Sequence, residues 1–233
     1  MRHKDFIEIH DYSADEVREI FEIARDMKAH RDKYRDALKG KTLAMIFEKS
    51  STRTRVSFEV GMFQMGGHAL FLSSRDIQIG RGEPIYDSAK VLSRYVDCIM
   101  ARTFAHKTVT ELAEYASVPV INGLTDLSHP MQAMTDYFTA WEHLGELKGR
   151  KLAYIGDGNN MAHSLMFGAS QVGMTIHIAP PPRYTPAPLI IAKSPRAAEY
   201  ARPRAPAPTS TATPCPHSIA PRPAAGTRRG RGR

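Results

Sequence analysis

A parallel β-sheet with helices on both faces, followed by the start of a second α/β domain and a disordered basic tail, is the fold this chain of 233 residues predicts. Three observations predict it. Short apolar runs alternate with amphipathic stretches of helical period up to residue 179, the pattern of repeated strand–helix–strand units. Polar clusters follow several of those runs, where the carboxyl ends of parallel strands would lie. Beyond Pro180 the periodicity gives way to prolines, alanines and arginines.

The first helix is announced by Ser13-Ala14-Asp15-Glu16, a capping box in which hydroxyl and carboxylate each satisfy a free N–H. Val17, Ile20, Phe21, Ala24 and Met27 follow at helical spacing, and Gly40 is a plausible stop. The wholly apolar run 42–47 reads as a buried strand, and 54–65 as the helix after it, broken by Gly66-Gly67. A short strand over 68–72 leads into a polar loop, 73–84. Helices over 86–95 and 108–115 then alternate with strands over 96–101 and 118–121. The amphipathic stretch 130–144 is a long helix with Pro130 in its first turn, a position that lacks an N–H partner anyway. After a hinge at 147–150 come a strand (151–155), a helix (159–172) and another strand (174–179).

Charge divides the chain at the same place. Residues 1–179 hold 22 Lys and Arg against 23 Asp and Glu, whereas residues 180–233 hold 10 against one, so the formal charge of +8 belongs to the tail. Thirteen of the 16 prolines also lie there, and such a segment cannot bury enough apolar surface to offset its ordering entropy. Two cysteines, Cys98 and Cys215, give no disulfide framework. The start lacks the apolar core of a signal peptide, and no apolar run approaches the ~18–20 residues that span a bilayer. A cytoplasmic protein is the expectation.

The chemistry begins at Ser51-Thr52-Arg53-Thr54-Arg55, where the strand 42–47 turns into a helix. A helix start exposes free N–H groups and the positive end of the dipole, and hydroxyls with forked guanidinium groups suit a phosphate. The bland alternative is a Ser/Thr N-cap with chance arginines. Further polar clusters at strand ends are Arg102-Thr103-Phe104, residues 122–132 and residues 157–160. His129 and Gln132, three apart on one helical turn, can point the same way. An imidazole can donate to a carbonyl oxygen gaining charge, and an amide can accept from an N–H₂ group. Together these suggest an acyl phosphate carrying an amino group.

Gly156-Asp157-Gly158 fails as a dinucleotide loop because Met161 replaces the third glycine. His163 and His177 have no zinc-like spacing and read as ordinary core or surface residues. His106 reads as a loop residue, and Glu48 with Lys49 as a solvated pair.

The run Phe47-Glu48-Lys49-Ser50-Ser51-Thr52-Arg53-Thr54-Arg55 closely resembles the carbamoyl-phosphate loop of the aspartate and ornithine carbamoyltransferases. Arg102-Thr103-Phe104, His129-Pro130-Met131-Gln132 and Gly156-Asp157-Gly158-Asn159-Asn160 follow in that family's order. The asparagine pair, with Val120-Ile121-Asn122-Gly123-Leu124-Thr125-Asp126, resembles the ornithine branch. The resemblance implies that Ser51, Thr52, Arg53 and Thr54 hold the phosphate and that Arg102 bridges phosphate and carbonyl oxygens. It implies that His129 polarises the carbonyl, Gln132 binds the carbamoyl nitrogen, and Asn160 contacts ornithine. Gln78 matches a glutamine that reaches into a neighbouring subunit's site. Arg53, Arg102, His129 and Gln132 would be the catalytic set, with no metal and no cofactor, in a homotrimer that makes citrulline and phosphate from carbamoyl phosphate and L-ornithine in arginine biosynthesis.

The implied organisation is a carbamoyl-phosphate domain over 1–147, a partial ornithine domain over 148–179 and a disordered tail over 180–233. Three family elements are missing from the sequence: an Asp with a Ser-Met-Gly loop, a His-Cys-Leu-Pro segment and a late arginine. Arg183-Tyr184-Thr185-Pro186 is a faint echo of a family turn. The chain thus reads as truncated or shifted in frame, with impaired turnover. Its alternatives are an inactive family remnant or a nucleic-acid binder acting through Arg228-Arg229-Gly230-Arg231-Gly232-Arg233.

Overall fold

Residues 43–47 are apolar at every position, so both faces of that strand need cover and it belongs inside the sheet. The computed structural model of the chain describes residues 3–194 and 198–200, and it places β1 (Thr42–Phe47) between β2 (His68–Ser73) and β3 (Cys98–Arg102). With β4 (Val120–Leu124) outside β3, these strands form a four-stranded sheet of order β2-β1-β3-β4, every pair parallel.

Side chains alternate across β1 with period two. Ala44 and Ile46 pack with Ile99, Ala101, Val109 and Leu112, on the face covered by α3 (Ile85–Leu92) and α4 (His106–Tyr115). Leu43, Met45 and Phe47 pack with Met62 and Phe58 of α2 (Thr52–Gln64) on the other. Helices therefore cover both faces of this sheet, as the periodicity predicts.

A third core joins the N-terminal α1 (Ala14–Ala29) to α5 (Pro130–Leu144) and α6 (Asn160–Val172). The capping box of α1 forms as expected, with Ser13 and Glu16 each satisfying the other's backbone N–H. Val17 and Phe21 pack among Tyr137, Phe167 and Leu147, so α1 closes over the junction between the two sheets. The second sheet has the order β5-β6-β7, all parallel, from β5 (Lys151–Ile155), β6 (Thr175–Ala179) and β7 (Ala198–Tyr200). Its helix α6 is buried continuously from Ala162 to Ala169. In contrast, Ile155 at the end of β5 is 86% exposed.

Several expectations need correction. The segment from residue 180 is not structureless throughout: α7 (Pro188–Lys193) buries Ile190 in the α6 core, and β7 joins the sheet. Ile190, with partly buried Ile191, supplies the buried surface for this short helix despite the surrounding prolines. Residues 201–233, including the arginine-rich ending, lie outside the described residues. The fourth strand runs to Leu124 instead of ending at 121, because the N–H₂ of buried Asn122 donates to the Ile7 carbonyl and Ser128 Oγ and Gly123 fits against Met100. His106 is not in a loop but opens α4. Within the loop expected over 73–84, Gln78–Arg81 is a single 3₁₀ turn.

Gly168 lets α6 approach α5 closely, since a Cβ there would fall on the ring of Tyr137. The Tyr137 hydroxyl donates to the Leu165 carbonyl at 2.6 Å, which holds that ring in place. Replacing Gly168 by Ala is expected to cost about 1–3 kcal/mol through overpacking. Urea unfolding of the variant checks this; an unchanged midpoint would show that the helices can simply move apart.

Candidate active site

Parallel strands all deliver their carboxyl ends to one edge, and the loops leaving β1, β3 and β4 carry the polar clusters found in the sequence. After β1, Ser51 caps α2: its hydroxyl oxygen accepts the Thr54 N–H at 3.3 Å and its own proton is directed to Thr54 Oγ1 at 2.9 Å. The first N–H groups of α2 have no intrahelical partners and face outward with the positive dipole end. Thr52 and Arg53 are exposed there.

Arg102 closes β3, and a shift of register re-aims it. Ala101 pairs with Asn122 but Arg102 pairs with Leu124, leaving Gly123 as an extra residue on β4. A Cβ at Gly123 would lie 2.5 Å from the Met100 sulfur, so only glycine fits without movement. Arg102 Nη1 donates to Thr54 Oγ1 at 3.4 Å, which brings the first two clusters together. Its Nε is buried without a partner among the described residues. Burial, and then the nearby Arg53 guanidinium, lower its pKa below the ordinary value.

His129 caps α5 after the turn that leaves β4, and its N–H donates to Ser164 Oγ of α6 at 2.8 Å. Burial first, and then the Arg102 guanidinium, push its imidazole down to about 4. The ring is therefore neutral at neutral pH. Its Nδ1 is buried and unpartnered among the described residues. Gln132 is exposed one turn further on and donates its Nε2 to Asp136 at 2.8 Å, so its amide oxygen is the atom left to accept. Asn160, opening α6, donates to the Thr125 carbonyl at 2.7 Å. Electrostatic coupling thus runs from Arg53 through Arg102 to His129, and Thr54 touches Arg102. Gln78 joins none of these; it is exposed on the turn after edge strand β2.

Sequence reasoning passed over the residues that lace these loops together. Glu48 is not part of a solvated pair with Lys49, because its carboxylate accepts the Phe104 N–H at 3.0 Å and its N–H donates to the Arg102 carbonyl at 2.9 Å. Lys49 pairs instead with Asp126 at 2.7 Å and lies over the Phe104 ring. His163 is buried, with Nδ1 donating to the Leu127 carbonyl at 2.8 Å and Nε2 accepting the Ala187 N–H at 3.1 Å. Ser164 beside it carried no signal except its place on the apolar face of α6.

Fold and site define an α/β protein with two guanidinium groups and several hydroxyls gathered at its sheet end and a neutral imidazole beside them. The model of the carbamoyl-P binding domain of the aspartate/ornithine carbamoyltransferases matches residues 4–142, and that of their Asp/Orn binding domain matches residues 148–211. The chain belongs to the aspartate/ornithine carbamoyltransferase family. Its second match runs past residue 179, where the sequence pattern alone ended the domain. The ornithine carbamoyltransferase of Anoxybacillus flavithermus is 59% identical over 189 residues, which is 80% of this chain and 60% of that protein. The Pyrococcus horikoshii enzyme is 54% identical over 188 residues, 80% of this chain and 59% of that protein. Among solved structures, the ornithine carbamoyltransferase of Pyrococcus furiosus matches with a TM-score of 0.81 at 50% identity, over 85% of this chain and 66% of that one. The chain spans about three fifths of the length of the curated relatives it matches.

Holding His129 neutral makes stability depend on pH. Between its ordinary 6.5 and about 4 the unfolded chain binds the extra proton and the folded chain does not. The contribution is complete above about 6.5 and is lost as pH falls through that window. Urea midpoints measured from pH 7 down to 4 should drop less steeply in His129→Asn than in the parent. Equal slopes would mean that His129 titrates normally.

Proposed function

We propose that this chain binds carbamoyl phosphate in the cradle of Ser51, Thr52, Arg53, Thr54 and Arg102, and that the site is built to transfer the carbamoyl group to the side-chain amine of L-ornithine. The observation that carries this reading is the pair Arg53 and Arg102, which among the described residues have no carboxylate partner, beside a neutral His129. Two uncompensated guanidinium groups favour a doubly charged phosphate, and a neutral imidazole can donate to a carbonyl oxygen without adding repulsion.

In the reaction the amine nitrogen bonds to the carbonyl carbon and passes a proton to the departing phosphate. The bond from that carbon to the bridging oxygen breaks, releasing phosphate and leaving L-citrulline. Arg102 and His129 serve the oxygen on which negative charge develops, and Gln132 holds the carbamoyl nitrogen through its amide oxygen. Asn160 faces the ornithine side. No step calls for a metal or a cofactor, and the setting is arginine biosynthesis in the cytoplasm. Among the described residues no helix is long and apolar enough to cross a membrane.

We also propose a homotrimer. Val56, Val60 and Phe63 lie on one face of α2, and all are exposed, Phe63 by 81%. Exposed Phe71 of edge strand β2 stacks on Phe47 on the sheet face that α2 covers and extends that apolar surface. A neighbouring copy packed there would cover these side chains and bring Gln78 within reach of its site.

Calorimetry tests the binding. Carbamoyl phosphate should bind the folded 233-residue chain, and Arg53→Ala should weaken it about 10- to 100-fold through loss of a charge-assisted contact. No detectable heat with a folded sample would remove the reading. The three second-domain elements missing from the sequence serve the amino acid, so citrulline formation by this chain alone is expected at least about 100-fold below that of the Anoxybacillus flavithermus relative. Production at the relative's rate would overturn that part.

A further inference from the structure

We propose that Glu8 and His106 are positioning residues for His129, acting through the hydroxyl of Thr125. This rests on the carbamoyl-phosphate reading of the site. Glu8, from the N-terminal segment, is 7% exposed in the protein interior. Its Oε1 lies 3.1 Å from His106 Nε2, and its Oε2 lies 2.7 Å from His10 Nδ1. The other nitrogen of His106, Nδ1, is 3.0 Å from Thr125 Oγ1.

Counting lone pairs assigns the protons. Thr125 Oγ1 is approached by the N–H of Leu127 at 3.3 Å and of Ser128 at 3.1 Å, which use both of its acceptor sites. It cannot accept a third N–H, so its own proton must go outward. His106 Nδ1 at 3.0 Å is nearer than the Ser128 carbonyl at 3.4 Å. His106 therefore accepts at Nδ1 and carries its proton on Nε2, the tautomer that the Glu8 carboxylate selects. The carboxylate orients the ring, the ring orients the hydroxyl, and the hydroxyl holds the two N–H groups of the turn leading into His129.

The turn is also tied from outside, by the Asp126 N–H to the Phe104 carbonyl at 2.9 Å, Asn160 to the Thr125 carbonyl at 2.7 Å and His163 Nδ1 to the Leu127 carbonyl at 2.8 Å. The N–H groups of Leu127 and Ser128, however, are held by the Thr125 hydroxyl. Thr125 and Asn122 are fully buried, and Asn122 Nδ2 donates to Ser128 Oγ at 3.0 Å. Ser128 is followed directly by His129, whose own N–H is held by Ser164. A slackened turn would let the imidazole move away from Arg102 into water. The residue that sets this is over a hundred positions away in sequence and touches no substrate.

The test uses the whole 233-residue chain. The His129 ring is followed by NMR against pH, its signal assigned by loss in His129→Asn, and carbamoyl-phosphate affinity is measured by calorimetry below each variant's melting midpoint. In Thr125→Val and Glu8→Ala the His129 midpoint should rise by about one pH unit toward its ordinary value, and affinity should fall about tenfold. Glu8→Gln keeps an acceptor for His106 Nε2 and a donor for His10, so it should stay within about twofold of the parent. If Glu8→Ala does not fold, Thr125→Val decides. Unchanged His129 midpoints in the folded variants, or Glu8→Gln behaving like Glu8→Ala, would overturn the proposal. Absence of binding by the parent would instead refute the carbamoyl-phosphate reading, while the His129 midpoints would still report on positioning.

Discussion

Two like charges brought together without a counter-charge are the constraint around which this protein is organised. Arg102 lies close enough to Arg53 to feel its charge, and among the described residues neither has a carboxylate within ion-pair reach. Like charges held near one another without a counter-charge are unfavourable. The fold restrains one of the two directly. Arg102 is placed by the register shift opposite Gly123 and by its contact with Thr54, whereas Arg53 is an exposed side chain in the first turn of α2.

The same field explains why His129 is uncharged. A protonated imidazole would be a third cation in a partly desolvated place, so burial and Arg102 act in one direction. What remains is a donor that does not repel the cradle. Supporting residues lie one layer back, where Glu48 ties the loops after β1 and β3 and the turn at Thr125 ties β4 to α5. Polar groups this deep are tolerable only when nearly all are satisfied, and the Thr125 hydroxyl, with every site used, meets that demand.

Much of this was legible from residues near one another in sequence. Alternating periods identified the parallel sheet, and the clusters at 51–55 and 129–132 read as a site because each fits within one helical turn. Glu8, His106 and Ser164 were not legible, since their partnerships join segments far apart and leave no periodic trace. The helix α7 was hidden for a different reason: its three apolar residues sit among prolines, and composition outweighed the local pattern. Asn122, at the start of the polar cluster 122–132, instead turns its N–H₂ to Ile7 and Ser128 inside the protein.

The free edge of β5 has a consequence for the protein's life in solution. Parallel strands ordinarily have cover on both sides, yet Ile155 is open to water and, among the described residues, no strand lies beyond β5 in its sheet. An unpaired ladder of N–H and C=O groups next to an apolar side chain is a template for another chain's backbone. Crowding and warmth would favour such edge-to-edge growth over the monomer, and a chaperone that masks extended strands would compete with it.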